Sequence, residues 1–229
     1  MLPVVILAGG LAKRMRPMTE TIPKALLSVA GKPFIDRQLA LLQKSGIERV
    51  VLCLGYLGEQ IERYVKNGKH KMEILFSYDG DVPLGTGGAL KKAAPLAGNA
   101  FFVLYGDSYL EIDYDDVQLS WQKSGKPALM AVFRNENRWD LSNVLFENNR
   151  IVRYSKTAPD AGMCHIDYGL GILSASTFEK YGQVFDVAEL YSDLSEQNNL
   201  AGYEAANRFY EIGSFNGLNE LEERIRELK

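Results

Sequence analysis

Near the start of the chain, a glycine pair is followed by a cluster of cations. Gly9-Gly10 ends a short apolar run at residues 4–7, and the cations after it are Lys13, Arg14 and Arg16. Glycines let backbone N–H groups approach an anion because no Cβ stands in the way. The planar guanidinium of Arg14 can hold two phosphate oxygens at once. The segment therefore suits a polyphosphate, and its candidate contacts are Leu7, Ala8, Gly9, Gly10, Lys13 and Arg14.

The apolar run at residues 4–7 predicts a buried strand that brings this loop to the carboxyl edge of a sheet, where open α/β folds bind ligands. The loop lacks the Gly-x-Gly-x-x-Gly pattern of dinucleotide binding and the Gly-Lys-Ser/Thr ending of a P-loop. The alternative interpretation is a glycine-rich turn with solvated cations.

The segment closely resembles the signature of the sugar nucleotidyltransferases, also called nucleoside-diphosphate-sugar pyrophosphorylases. The matching residues are Leu7-Ala8-Gly9-Gly10, Arg14, Pro17, Thr19, Pro23-Lys24, Leu26 and Gly31-Lys32-Pro33. Ala12 replaces the third glycine of the family pattern, and Lys13 replaces its threonine. The resemblance implies that Arg14, Lys24 and Asp107 are catalytic.

Composition narrows the class of protein. The chain has 229 residues, of which 46% are hydrophobic, and this suits one domain with a sizeable core. A net charge of −3 excludes a broad nucleic-acid-binding surface. No apolar run approaches the ~20 residues of a membrane span, and no signal peptide is recognisable. We expect a cytoplasmic protein, a monomer or homodimer, with neither nucleic acid nor membrane as partner.

Strands and helices alternate in the first half of the chain. Strands are predicted at residues 4–7, 49–54, 73–78 and 101–104, and helices at 34–45, 59–65 and 87–94. This order predicts a parallel, doubly wound sheet. In the second half, strands are predicted at 128–133, 144–147, 151–154, 165–173 and 209–212, and helices at 189–197 and 214–228.

The family resemblance implies an α/β fold. It is the nucleotide-diphospho-sugar transferase fold, a Rossmann-like, mixed, mostly parallel sheet flanked by helices, with a small β-rich sugar-binding lid. We expect a single nucleotidyltransferase domain at 1–229. Its nucleotide-binding half would span 1–125, and its sugar-binding half with the C-terminal helix would span 126–229.

Two carboxylates are candidate ligands for Mg²⁺. Asp107 follows the predicted strand at 101–104, beside the loop after the first strand, where it could hold Mg²⁺ against phosphate oxygens. The alternative is a plain turn aspartate. The family carries Gly-Asp there as a metal ligand, which favours the metal role. Glu211 aligns with the family's second metal carboxylate, which is usually Asp. The alternative interpretation is that Glu211 is a solvated glutamate on an edge strand.

The segment Leu84-Gly85-Thr86-Gly87-Gly88-Ala89 resembles the family's nucleotide-base loop. The resemblance implies that Gly85, Gly87 and Gly88 lie against the base. Val82 departs from the polar residue that many relatives have before the proline. Asp79 or Asp81 could supply the missing acceptor, and Asp81 is our candidate. The alternative is a helix start with flexible glycines.

Other residues are candidates for binding the acceptor, that is, the sugar and its phosphate. Lys24 matches the family's Pro-Lys motif, and Lys156 falls where the family often has Glu-Lys, with Ser155 in place of the glutamate. Asp167-Tyr168-Gly169 matches the family's Asn-Ala-Gly strand. The candidate sugar-phosphate contacts are Lys24, Asn143, Lys156, Asp167 and Gly169, and Trp139, Asp140 and Ser142 are candidates for the lid.

The resemblance implies Mg²⁺-dependent transfer of a nucleoside monophosphate from an NTP to a sugar 1-phosphate, with release of pyrophosphate. Chain length and the base loop resemble the short heptose- or mannose-1-phosphate guanylyltransferases, so GTP with one of these sugars is favoured. A UTP-dependent N-acetylmuramate-1-phosphate uridylyltransferase is the alternative enzyme. A catalytically silent, nucleotide-sensing regulatory subunit is the alternative of a different class.

Overall fold

The computed structural model describes residues 1–228, which form a nine-stranded sheet with helices on both faces. The helices are α1 (Phe34–Lys44), α2 (Gly58–Asn67), α3 (Gly85–Ala97), α4 (Tyr114–Ser124), α5 (Val187–Glu196) and α6 (Phe215–Glu227). The strands are β1 (Val4–Leu7), β2 (Ser28–Val29), β3 (Lys32–Pro33), β4 (Arg49–Leu54), β5 (Glu73–Tyr78), β6 (Ala100–Tyr105), β7 (Ser108–Tyr109), β8 (Ala128–Arg134), β9 (Val144–Glu147), β10 (Arg150–Tyr154), β11 (His165–Ser174), β12 (Leu200–Glu204) and β13 (Tyr210–Glu211).

The large sheet has the strand order β5-β4-β1-β6-β11-β8-β12-β10-β9. Strands β5, β4, β1 and β6 are parallel, and so are β8 and β12. Strand β11 runs antiparallel to both of its main neighbours, and β10 and β9 continue the sheet in antiparallel fashion. The predicted mixed sheet is therefore confirmed, and the strands β9 and β10 of the second half extend the same sheet.

Strand β1 lies at a topological switch point. The chain leaves β1 for β4 on one side and later returns to β6 on the other side. The loops after β1 and β6 therefore diverge above the carboxyl ends of adjacent strands and leave a crevice, which is where open α/β sheets bind ligands.

Alternate side chains of the parallel strands enter two different cores. Val4 and Ile6 pack with α1, α2 and α4 on one face, whereas Val5 packs with α3 and α5 on the other. Both faces are covered by helices, which agrees with the apolar residues that fill β1 and β6 and most of β4. A third, smaller core lies beneath α6 and is described with the site.

Most predicted elements are confirmed to within two residues at each end. Helix α3 is longer than predicted, because it begins at Gly85 and continues through Pro95 to Ala97. Ser214 caps the last helix, since its side chain accepts a hydrogen bond from the Gly217 N–H. Asn148 and Asn149 form the turn between β9 and β10, and both have positive φ.

Helix α4 and strand β12 were not predicted from the sequence. Only Tyr114 and Val117 of α4 are buried, so its apolar periodicity is weak. Its start is nevertheless marked, because the Asp113 side chain caps the helix through the Asp116 N–H. Strand β12 contains Gly202, which lowers β propensity but lets the Phe146 ring pack directly on the backbone.

Candidate functional site

Close backbone contacts position the loop that follows β1. The Ala8 N–H donates to the Cys53 carbonyl at 2.9 Å, and a Cβ on Gly55 would stand 2.8 Å from the Gly9 carbonyl oxygen. A Cβ on Gly106 would stand only 2.2 Å from the Leu7 carbonyl oxygen. These glycines let the loops after β1, β4 and β6 pack against one another. Gly10 has open space where a Cβ would lie, so its backbone is free to approach a ligand.

Arg14 is presented by a short 3₁₀ turn, Lys13–Met15. The turn follows Ala12 in the left-handed region (φ 44°), a conformation that the glycine of the family pattern adopts at lower cost. The buried Thr19 hydroxyl donates a hydrogen bond to the Ala12 carbonyl at 2.8 Å. Met15, the residue after Arg14, is fully buried. The turn is thus fixed on both sides of Arg14, whose side chain lines the cleft.

Asp107 and Glu211 come together because β7 pairs with β13. Glu211 lies opposite Ser108, and the Ile212 N–H donates to the Asp107 carbonyl at 3.0 Å. The buried side chain of Gln38 fixes the turn that carries Asp107, since its Nε2 donates to the carbonyls of Tyr105 and Ser108. Residues 104 positions apart therefore lie on neighbouring backbones.

Three charged side chains meet at Gly213. An added Cβ there would lie 2.6 Å from Glu211 Oε2, 2.9 Å from Arg14 Nη2 and 3.1 Å from Asp107 Oδ2. Because all three atoms lie within 3.1 Å of one point, no two of them can be more than about 6 Å apart. The lack of a side chain at Gly213 leaves the space in which the three groups converge.

Lys24 joins the same cluster through an ion pair. Its Nζ lies 2.6 Å from Asp107 Oδ2, and both side chains are about three-quarters covered. Lys24 follows Pro23 in a 3₁₀ turn, Lys24–Leu26, which is held by the Leu27 N–H donating to the Lys24 carbonyl. The predicted catalytic residues Arg14, Lys24 and Asp107 thus lie together.

The third core anchors all four side chains of this cluster. Its buried members include Met15, Leu27, Tyr109 and Ile212, which lie one to three residues along the chain from Arg14, Lys24, Asp107 and Glu211. Helix α6 contributes Leu218, Leu221 and Ile225 to the same core. Because the anchors are buried and the charged neighbours are not, the cluster is rigid at its base and open toward the cleft.

A cleft of about 1120 Å³ lies above the cluster. It contains most of the residues predicted from the sequence: Leu7, Ala8, Gly9, Gly10, Arg14, Lys24, Asp81, Gly85, Asp107, Asn143, Lys156, Asp167, Gly169 and Glu211. Lys13, Gly87 and Gly88 are not among the residues that line it. Trp139 and Asp140 line the cleft, whereas Ser142 is buried and accepts hydrogen bonds from Asn135 and Asn137.

Gly87 and Gly88 pack against the segment before α5. A Cβ on Gly87 would stand 2.2 Å from the Phe185 ring, and one on Gly88 would stand 2.1 Å from the Gln183 carbonyl oxygen. Gly85 also lies against this segment, because a Cβ added to it would stand 2.5 Å from the Phe185 carbonyl oxygen, but it is the one glycine of the three that lines the cleft. The other two glycines are needed for close approach between α3 and its neighbour.

Gly88→Ala should destabilise the fold, because the added methyl group meets backbone that no rotamer change can move. We expect a loss of about 1–3 kcal/mol in the free energy of unfolding, measured by urea titration. Gly182→Ala is the matched control, since Gly182 is exposed in the same neighbouring segment with open space at its Cβ position. An unchanged unfolding free energy with weaker nucleotide binding would instead place Gly88 at the base.

Two acidic residues stand at the base-loop end of the cleft. Asp79 is partly buried, accepts a hydrogen bond from the Leu84 N–H at 3.3 Å, and its pKa is raised by burial. Asp81 is exposed. Both line the cleft, so both acceptors considered from the sequence are available there.

Asp167 lies in the other half of the cleft, at a bulge in β11. Its carboxylate accepts hydrogen bonds from the Tyr105 hydroxyl at 2.6 Å and the Gly169 N–H at 2.9 Å. The Asn143 side chain accepts from the Asp167 N–H, so Asn143 orients this strand end. Gly169 has φ 85°, which suits glycine at the bulge. Burial raises the pKa of the Asp167 carboxyl despite these hydrogen bonds.

Asp167→Asn should stabilise the protein at neutral pH. Because folding raises the pKa of Asp167, the ionised carboxylate lowers stability above the unfolded-state pKa of about 4, and this penalty is complete above the folded-state pKa. The melting temperature of the variant should therefore exceed that of the wild type by an amount that grows as the pH rises above about 4 and levels off above the folded-state pKa. A difference that stays constant over this range would contradict a buried, ionised Asp167.

Several cleft residues were not found from the sequence. The Thr86 and Asp186 side chains are bonded to each other at 2.9 Å, and Asp186 also pairs with Lys156. Arg208 stacks between the rings of Trp139 and Tyr210, at 4.4 and 4.5 Å. The pattern Asp186-x-x-Glu189 is a capping box that could have marked the start of α5, but its link to Lys156 has no local signature.

The sequence profile described as nucleotidyl transferase matches residues 3–141, which is more than half of the chain. The chain belongs to the nucleotidyl transferase family. The predicted family resemblance is thereby confirmed.

This nucleotidyl transferase is similar in sequence to three enzymes that differ in the substrates they are named for. Mannose-1-phosphate guanylyltransferase catalytic subunit beta from Danio rerio is 28% identical over 91% of this chain and 60% of its own length. D-glycero-alpha-D-manno-heptose 1-phosphate guanylyltransferase from Campylobacter jejuni is 35% identical over 52% of this chain and 53% of its own length. N-acetylmuramate alpha-1-phosphate uridylyltransferase from Neisseria meningitidis is 40% identical over 48% of each chain. The matches thus span 60% or less of these relatives.

Solved structures confirm the predicted nucleotide-diphospho-sugar transferase fold. HddC from Yersinia pseudotuberculosis superposes with a TM-score of 0.81 at 25% identity, over 98% of this chain and 100% of HddC. The same protein complexed with GMP-PN gives 0.80 at 26% identity, over 98% and 100% of the two chains. Among residues 1–228 of this nucleotidyl transferase, no helix has the length and apolar character needed to cross a membrane.

The carboxylates of the cluster suit a divalent cation whose remaining coordination positions are filled by substrate phosphates. Within the described residues, no group of three or more His, Cys, Asp or Glu side chains is arranged to hold a metal. Mg²⁺ is usually bound through one or two carboxylates together with substrate phosphates. Asp107 and Glu211 supply two carboxylates at one point, so they match that requirement.

Proposed function

We propose that this chain transfers a nucleoside monophosphate from an NTP to a sugar 1-phosphate, with Mg²⁺ as cofactor, and releases pyrophosphate. The observation that carries the proposal is the convergence of Arg14, Asp107 and Glu211 at Gly213. The cluster lies beside the loop after β1, at the switch point of the sheet. A fixed cation and two carboxylates, joined by the Lys24 ammonium, suit a reaction between two phosphate groups.

The NTP would occupy the half of the cleft formed by the β1 loop and the start of α3. Within residues 1–228, Arg14 has no ion-pair partner, in contrast to the cleft cations Lys24, Lys156, Arg138 and Arg208. Its guanidinium is therefore free to hold the β- and γ-phosphates, with the open backbone at Gly10 beside them. The base would lie at Gly85, with Asp79 and Asp81 as acceptors for its edge.

The sugar 1-phosphate would occupy the other half. Lys24 and Lys156 would hold its phosphate, and Asp167 would accept hydrogen bonds from sugar hydroxyls. Asn143 and Gly169 would keep Asp167 in place through the contacts at the β11 bulge. The roles of Lys24, Lys156 and Asp167 are the ones predicted from the sequence, and the shared cleft supports them. Asn143 and Gly169 were predicted as direct sugar-phosphate contacts, and both also line the cleft.

Asp107 and Glu211 would hold Mg²⁺, which when bound neutralises phosphate charge and orients the reacting groups. The acceptor phosphate is already ionised near neutral pH, so no side chain is needed as general base. An oxygen of this phosphate would form a bond to the α-phosphorus as the bond between that atom and the bridging oxygen to the β-phosphate breaks. The electron pair would leave with pyrophosphate, stabilised by Arg14, while Lys24 would neutralise charge around the α-phosphorus.

GTP with heptose or mannose 1-phosphate is the substrate pair that we propose first. The guanylyltransferase names of two relatives and the GMP-PN complex of HddC support guanine. UTP with N-acetylmuramate 1-phosphate is the second candidate, because the uridylyltransferase relative is 40% identical over its matched segment.

The test is pyrophosphate release in the presence of Mg²⁺. GTP, UTP, CTP, ATP and dTTP would each be combined with heptose, mannose, N-acetylmuramate and glucose 1-phosphates, and with phosphocholine. Release with GTP and heptose or mannose 1-phosphate is the expected result, and release only with UTP would favour the second candidate. Tight NTP binding without release in any combination would overturn the enzyme proposal and favour a silent regulatory subunit.

A further inference from the structure

The Asp186 carboxylate joins the two halves of the cleft. Its Oδ1 accepts from the Thr86 hydroxyl at 2.9 Å and from the Ala188 N–H at 2.9 Å. Its Oδ2 accepts from Lys156 Nζ at 2.9 Å. One side chain thus links the start of α3, which carries the base loop, to the lysine at the end of β10.

The link on the base-loop side is rigid. The Phe185 N–H donates to the Leu84 carbonyl at 3.1 Å, and the Gly87 N–H donates back to the Phe185 carbonyl at 3.0 Å. The Val187 N–H donates to the Thr86 hydroxyl at 2.8 Å. Residues 84–87 and 185–187 therefore form one hydrogen-bonded unit, and Asp186 has a fixed place in it.

The link on the lysine side is an exposed ion pair. The Lys156 side chain is 56% exposed, and among the described residues its ion pair is with Asp186. An exposed pair of this kind contributes little to stability, whereas a free lysine samples many rotamers. Burial raises the pKa of Asp186, but hydrogen bonds from Ala188, Lys156 and Thr86 outweigh it and keep the carboxyl pKa below its usual range. The contact therefore orders Lys156 more than it stabilises the fold.

We infer that Asp186 is a positioning residue, which aims Lys156 at the acceptor phosphate and ties that lysine to the base loop through Thr86. The inference rests on the proposed function and adds to it a residue that acts through Lys156. A lysine held in one rotamer loses less entropy when the acceptor binds, so acceptor use should depend on Asp186.

Asp186→Asn is the variant that isolates this role. Asparagine caps helices as well as aspartate does and still accepts from Thr86, so the fold should be kept and the melting temperature unchanged within about 2 °C. Steady-state kinetics should show the acceptor KM raised about threefold to tenfold, with the NTP KM changed less than about twofold. In a Lys156→Met background the same substitution should have no further effect on the acceptor KM.

Asp160→Asn is the matched control. Asp160 pairs at 2.8 Å with Arg153, which lies on β10 three residues before Lys156, and neither Asp160 nor Arg153 lines the cleft. This variant should leave both KM values unchanged. A wild-type acceptor KM in Asp186→Asn, or an equal increase in the Lys156→Met background, would overturn the positioning role alone. Absence of turnover in the wild type with every substrate pair would overturn the proposed function and this inference with it.

Discussion

Asp107→Asn is expected to lower kcat by at least about 10²–10³-fold while leaving the fold intact. The substitution removes one of two carboxylates at the Gly213 convergence point and also the acceptor of the Lys24 ion pair. It leaves the backbone contact in place, because the Ile212 N–H bonds to the Asp107 carbonyl rather than to its side chain. The measurement is pyrophosphate release against Mg²⁺ concentration.

NTP binding separates a metal role from general damage at this position. Arg14 and the β1 loop remain in Asp107→Asn, so the affinity for NTP measured without Mg²⁺ should stay within about threefold of the wild type. Asp115→Asn is a suitable control, since Asp115 is exposed and outside the main cleft. Near-normal turnover in Asp107→Asn would exclude this carboxylate as a metal ligand.

Arg14→Ala is expected to lower kcat/KM for NTP by about 10²–10³-fold, with a smaller loss in Arg14→Lys. Lysine keeps the charge but lacks the planar fork that binds two phosphate oxygens. The turn itself should be preserved, because the buried Met15 and the Thr19 hydroxyl hold it independently of the Arg14 side chain.

Comparison of ligands makes the Arg14 test specific. If Arg14 holds the β- and γ-phosphates, the substitution should weaken binding of NTP and pyrophosphate and spare binding of the nucleoside monophosphate. Arg16→Ala is the matched control, since Arg16 is an exposed cation two residues further along that does not line the cleft. Equal losses for all three ligands would indicate collapse of the loop, and unchanged kinetics would remove Arg14 from the phosphate site.

The alternation of elements in the first half could be predicted from the sequence, because apolar runs and helical periodicity are local properties of the chain. The strand pairing in the second half could not. Strand β12 lies between β8 and β10, and its Gly202 packs under a ring from β9. Such a strand is stabilised by distant neighbours rather than by its own residues.

For the glycines of the base loop, too, the sequence predicted part of the result and the structure was needed for the rest. Their presence is evident from the sequence, and the family resemblance assigned all three to the base. In the structure all three glycines pack closely against Phe185 or Gln183, and Gly85 is the one of them that also lines the cleft. A glycine required for packing and one required for a ligand look alike in a sequence, because both lack a Cβ and only the neighbour differs.

The sequence by itself determined the family, and it was enough to predict phosphate binding by the β1 loop and to select Arg14, Lys24 and Asp107 as candidate catalytic residues. These features depend on residue type and on spacing within a few dozen residues. Only the tertiary structure decided that Glu211 meets Asp107 at Gly213, and that Asp186 connects Lys156 to Thr86. The partners in these contacts are 30 to 104 residues apart, and their proximity follows from strand order and β7–β13 pairing, which the chain satisfies only as a whole.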